Sequence, residues 1–306
     1  MLTIKLLNLN RSQYGPLYIN NVKRLAQATS VKFIDNNHLC ATHLVGMYMQ
    51  LYFIDYDNKN YKLLDQINTT YNNKICITDL IDHKEGLLVT SNFDKGTQTL
   101  YELKNNKFVW YKDIPDQNNG KQYCHGVKFY PYKENVICAT YNRIPMVQFI
   151  DYIKNEVIYQ IQYIVNHRPK DIAFIDKCNM LVYYTTSDVS GKQGNVKYKS
   201  QILYLKIDID TKTHSIIDQY DIDDSHGDCI VFNNNVIFTN NQIGDSIMTF
   251  HIKDNKICFI ESIDVFDKPH GIDVNYNNKL IAVTNYGDNT IKIICIPEKT
   301  MMFMGA

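Results

Sequence analysis

Three histidines in this chain sit in the same short context. His125, His226 and His270 are each followed by glycine and then by a strand-like run, in CHGVKF, SHGDCIVF and PHGIDV. An imidazole titrates near neutral pH, so it can pass a proton to a reacting group or hold a divalent metal through a ring nitrogen. Glycine after each lets another backbone approach where a side chain would block it. A catalytic or metal-binding role for His125, His226 and His270 is the reading this shared register favours, because a purely structural turn would recur at every comparable position. The alternative is a turn whose imidazole bonds a neighbouring backbone.

What must position these residues is an internal repeat. Lys268–Ile296, Ser225 onward and Cys124 onward share one pattern: a His-Gly opens a strand, and a Thr with a nearby Asn closes the next. His125 to Lys170 spans 45 positions and His226 to His270 spans 44. A period of that size with several strands per unit indicates a β-propeller. The expectation is an all-β chain, one domain over residues 1–306, with six blades of four antiparallel strands. The last blade supplies only three strands, so an N-terminal strand around Leu17–Val22 is expected to complete it and close the ring. Independent pairing of Met1–Asn10 and Met301–Met304 would instead give seven blades.

In such a blade the inner strand starts, and the second strand ends, on one face. Thr29, Thr78, His125, Lys170, His226 and His270 align as the openings of the inner strands, which line the axis. Asp79 and Asp171 follow two of them and could bring carboxylates to the same mouth, and Lys170 could hold an anionic group. Asn142, Asn240 and Asn285 close second strands and are candidate ligand contacts, although Asn also serves turns. Tyr123 and Tyr141 could form an aromatic wall near His125. The spacing from Lys170 to His226 is 56, and its excess lies in Ser187–Lys199, a surface loop or a lid.

Composition narrows the partners. Lys+Arg and Asp+Glu are 32 each, which gives no global signal for nucleic acid or an anionic membrane. No apolar stretch is long enough to span a bilayer, and no signal-peptide pattern opens the chain. The eight cysteines form no CxxC pair, so free thiols and a cytoplasmic location are expected. GxSxG, P-loop, GxGxxG and HExxH motifs are absent.

PHGIDV and AVTNYGDNTIKI resemble the repeats of the YVTN/NHL-type β-propeller superfamily. The match is good in the blades of His125, His226 and His270 and partial where Thr29, Thr78 and Lys170 replace the histidine. Among such propellers are streptogramin lyases and lactonase-type enzymes. The resemblance implies a central-face site near His125, His226 and His270, with a divalent metal as cofactor. Two functions follow: a hydrolase or lyase acting on a small molecule, or a non-catalytic module binding a protein, glycan or small ligand.

Overall fold

Short runs rich in β-branched and aromatic residues, buried on both faces and interrupted by Asn, Asp and Gly turns, give strands with one face for each neighbouring sheet. The computed structural model describes residues 2–5, 18–19, 22–23, 28–116, 123–162, 168–187 and 198–305. They form six four-stranded antiparallel sheets. Blade 1 is Ala28–Phe33, His38–His43, Tyr48–Asp55 and Asn60–Asn68. Blade 2 is Thr78–Lys84, Leu87–Asn92, Thr97–Lys104 and Lys107–Ile114. Blade 3 is Cys124–Phe129, Val136–Tyr141, Met146–Asp151 and Glu156–Gln162. Blade 4 is Arg168–Phe174, Asn179–Ser187, Tyr198–Asp208 and Thr213–Asp223. Blade 5 is Ile230–Asn233, Val236–Asn241, Ser246–Lys253 and Lys256–Ile263. Blade 6 is Pro269–Asn275, Leu280–Asn285 and Thr290–Cys295, plus a strand from the other end of the chain.

That strand is Leu2–Lys5, which pairs with Thr290–Ile293. It corrects the expectation for Leu17–Val22: Tyr18–Ile19 instead forms a small hairpin with Val22–Lys23. Met301–Met304 lies in a helix, Glu298–Met304, so the pairing needed for a seventh blade is not made among the described residues. Most of the Ser187–Lys199 loop lies outside the described residues. Inner strands of successive blades pack against one another, and that of blade 6 packs against that of blade 1, which closes the ring.

Asn-Asn pairs serve the hairpins. Asn105–Asn106 and Asn234–Asn235 all have positive φ, the pairing of two-residue turns that match strand twist. Between blades, buried carboxylates cap exposed backbone: Asp82 accepts Phe129 N–H at 2.9 Å, and Asp273 accepts Phe33 N–H at 2.8 Å.

The upper part of most inner strands is irregular. The ladder with the second strand slips near residues 28–30, 78–81, 124–127, 169–171 and 269–272. A bulge of this kind re-aims one side chain out of the sheet. The register below it is the same in all six blades: Val31, Ile81, Val127, Ile172, Ile230 and Ile272 pair with Ala41, Thr90, Ala139, Val182, Thr239 and Val283. Two residues before each of these stands the residue that faces the axis.

Candidate active site

That register gives a ring of Thr29, Asp79, His125, Lys170, Asp228 and His270. It corrects the sequence alignment at two blades. Thr78 is one position too early, and Asp79 takes its place. His226 is two positions too early, and Asp228 takes its place. The six ring residues are buried, none more than 8% exposed.

The ring is held from behind by the second strands. Thr42 Oγ1 donates to the carbonyl of Asp79 at 2.8 Å, Ser91 Oγ to that of His125 at 2.6 Å, and Thr140 Oγ1 to that of Lys170 at 2.8 Å. Each hydroxyl thus fixes the ring residue of the next blade. Glycine after His125 and His270 has a related purpose. A Cβ on Gly126 would stand 2.5 Å from the Lys170 carbonyl oxygen, and one on Gly271 would stand 2.5 Å from that of Thr29.

The side chains converge. His125 Nε2 lies 3.2 Å from Asp79 Oδ2 and 3.0 Å from Asp228 Oδ1. His270 Nε2 lies 3.8 Å from Asp79 Oδ1 and 3.5 Å from Asp228 Oδ2. The two imidazoles stack with centroids 6.1 Å apart. Lys170 Nζ is 2.7 Å from Asp228 Oδ1 and 3.3 Å from His125 Nε2. His226 is half-buried at the rim, its Nε2 3.4 Å from Asp228 Oδ2. Gln242 Nε2 donates to that same oxygen at 2.5 Å.

The two carboxylates are shifted in opposite directions. Burial pushes Asp79 up to about 7, with His270 opposing and the charge of Asp228 adding to the rise. Burial also disfavours the charge on Asp228, but Lys170, then His226 and His270, outweigh it and hold that carboxyl well below its ordinary range. Burial lowers both His125 and His270, which favours their neutral forms.

His270 Nδ1 lies 2.7 Å from the carbonyl oxygen of Thr29, which can only accept. That bond fixes the proton on Nδ1 and leaves the Nε2 lone pair facing Asp79 and Asp228. Asp79 Oδ1 is buried and makes no hydrogen bond among the described residues. A lone pair and an unsatisfied carboxylate oxygen facing one another call for a proton or a cation between them. One ligand atom each from Asp79, His125 and His270 lie within 4.8 Å of one another. These residues therefore fit the divalent metal that the resemblance implies. His226 is not part of this group, and Asp79 stands where it was expected.

The other expected contacts divide. Lys170 belongs to the cluster. Asp171 lies just below, fully buried, accepting Ile230 N–H at 3.1 Å with Lys128 Nζ 3.4 Å away. Asn240 is spent on backbone, accepting from Asp228 and Cys229 N–H and donating to the Pro269 carbonyl at 2.7 Å. Asn285 is buried and donates to Thr290 Oγ1 at 3.0 Å. Asn142 is on the rim, its backbone N–H on the Tyr123 carbonyl at 3.0 Å. Tyr123 stacks on Phe93, which meets His125 edge-on, while Tyr286 stacks on His270. Tyr141 is core, with its hydroxyl on Gln98.

A family model described as "Lactonase, 7-bladed beta-propeller" matches residues 3–303. The chain belongs to this lactonase family, with six blades among the described residues. It is similar in fold to several solved structures. One is a putative 6-phosphogluconolactonase from Bacteroides uniformis ATCC 8492, at TM-score 0.57 and 13% identity, covering 87% of this chain and 80% of that one. Another is a Lactobacillus plantarum protein, at TM-score 0.60 and 13% identity, covering 88% and 81%. A third is hydrazine synthase of Kuenenia stuttgartiensis, at TM-score 0.62 and 10% identity, covering 91% and 99%. No curated protein sequence matches. Among the described residues no helix is long and apolar enough to cross a membrane.

Proposed function

We propose that this chain is a hydrolase that opens a lactone at the axial cluster, using a divalent cation. The observation that carries this reading is the convergence of Asp79, His125 and His270 beside the Lys170–Asp228 pair. The lactonase family supports the reaction class. Asp79, His125 and His270 would hold the cation, which supplies Lewis-acid polarisation of the ester carbonyl and a water of lowered pKa.

The chain's own residues perform the rest. Thr29 fixes the tautomer of His270, an outer contact of the kind that orients metal-ligating imidazoles. Lys170, steadied by Asp228, presents positive charge to the oxygen that gains electron density as the carbonyl is attacked. His226, within reach of Asp228 and partly exposed at the rim, takes the proton released by water. It returns that proton to the ring oxygen when the acyl C–O bond breaks, leaving a hydroxy acid. Phe93, Tyr123 and Tyr286 wall the mouth against bulk water.

The test is acid release from five- and six-membered lactones in a pH-indicator assay with added divalent cations. Asp79→Asn and His270→Ala are expected to lower kcat/KM by at least about 100-fold, the upper end of what losing an outer contact costs. A fully folded wild-type protein that opens none of these lactones would overturn the reading.

A further inference from the structure

We infer that the cation of this site is a borderline transition ion of the zinc class, not calcium or magnesium, and that Lys170 is its built-in competitor. This rests on the reading that Asp79, His125 and His270 hold a cation. Two of the three donors are imidazole nitrogens, which suit zinc and its neighbours. Calcium needs six to eight oxygen ligands and magnesium a near-octahedral oxygen shell. The nearest further carboxylate is already engaged on both oxygens. Asp228 Oδ1 is taken by Lys170 at 2.7 Å, and Oδ2 by Gln242 at 2.5 Å.

Lys170 also meets His125 Nε2 at 3.3 Å. An ion bound through that nitrogen stands beside the ammonium and displaces the contacts the nitrogen makes with Lys170 and with Asp228 Oδ1, 3.0 Å away. Binding therefore trades hydrogen bonds for a coordinate bond and brings the ion close to a fixed positive charge. Asp228 keeps the ammonium in place throughout, so the competition is a built property of the ring.

The full chain, stripped with a chelator, is titrated calorimetrically with Zn²⁺, Mg²⁺ and Ca²⁺, and with Co²⁺ while visible absorption is recorded. One Zn²⁺ per chain is expected, bound at least about 100-fold tighter than Mg²⁺ or Ca²⁺. Cobalt bands of nitrogen and oxygen coordination, without thiolate absorption, are expected too. Asp79→Asn and His270→Gln should each weaken Zn²⁺ binding by about 10- to 100-fold. Lys170→Met should tighten it by about tenfold, and Lys170→Gln reads the same competition if the Met variant does not fold. Calcium or magnesium binding as tightly as zinc, or both lysine variants weakening zinc, would overturn this inference while leaving a cation site. No bound ion of any kind, or zinc affinity unchanged in Asp79→Asn and His270→Gln, would end both readings.

Discussion

Two rings of side chains face the axis on the same inner strands, three residues apart. The lower ring is Lys32, Asp82, Lys128, Ala173, Val231 and Asp273. Its charges are spent on structure. Lys32 Nζ bridges Asp82 Oδ1 at 3.0 Å and Asp273 Oδ1 at 3.2 Å, and the second oxygen of each carboxylate caps a backbone N–H of the next blade. All four oxygens of Asp82 and Asp273 are therefore used. In the upper ring Asp79 Oδ1 has no hydrogen bond, and the ring's lysine, Lys170, pairs with Asp228. Asp79 and Asp82 share a strand, and both are resisted by burial. Yet Lys32, then Lys128, bring Asp82 below its ordinary range, whereas Asp79 rises to about 7. The contrast separates a ring that joins blades from one left short of positive charge, the condition under which a buried polar cluster can serve chemistry.

The largest expected effect that separates the rings is on stability in the lower one. Asp82→Ala leaves Lys32 with Asp273 as its one carboxylate contact and frees the buried Phe129 N–H, so chemical denaturation should show a loss of about 3–5 kcal/mol. Activity measured below the unfolding transition should fall far less than in Asp79→Asn. An Asp82→Ala protein as stable as wild type would erase the distinction.

The next test is pH. The folded-state pKa of Asp79 lies above its unfolded value, so between about 4 and 7 the cation-free native state binds more protons than the unfolded chain. The stability this confers is present at the acid end of that window and is lost as pH rises through 7. The change is up to about 4 kcal/mol. Asp79→Asn should flatten that slope, leaving a protein more stable than cation-free wild type at pH 8. An unchanged pH profile in this variant would remove the argument that the upper ring lacks positive charge.

The smallest effect tests how the upper ring is positioned. In Gly126→Ala the new Cβ meets the Lys170 carbonyl oxygen 2.5 Å away and must push blade 4 aside. An overpacking loss of about 1–3 kcal/mol is expected, with a lower kcat that added cation does not restore. Thermal unfolding and kinetics at saturating cation would measure both. Wild-type values would mean that blade spacing does not set the cluster.

The sequence made the blades legible because short strand-forming runs and Asn turns act locally. His125, Lys170 and His270 were also legible, since each opens its strand in the expected register. Asp79 was legible only as a neighbour of the ring position and Asp228 was missed, because a bulge adds residues on one strand only and counting from the turn loses its place. In blade 5 the ladder begins only at Ile230, so the conspicuous His226-Gly227 pair drew the alignment two residues upstream. Gly227 marks that offset, because a Cβ there would meet the Tyr183 hydroxyl and not a ring carbonyl. Counting back two places from Val31, Ile81, Val127, Ile172, Ile230 and Ile272 recovers the true ring. The state of Asp79 was out of reach, since it depends on partners from three other blades.

The pairing of Leu2 with Ile293 and of Lys5 with Thr290 bears on how the molecule is made. A ribosome delivers the first of these segments long before the second, so Leu2–Lys5 has no mate until the third strand of blade 6 has been made. Such distant pairing is slow to find. Until it forms, Thr290–Cys295 keeps one side of its backbone unmatched, the period in which a nascent chain is most prone to join another.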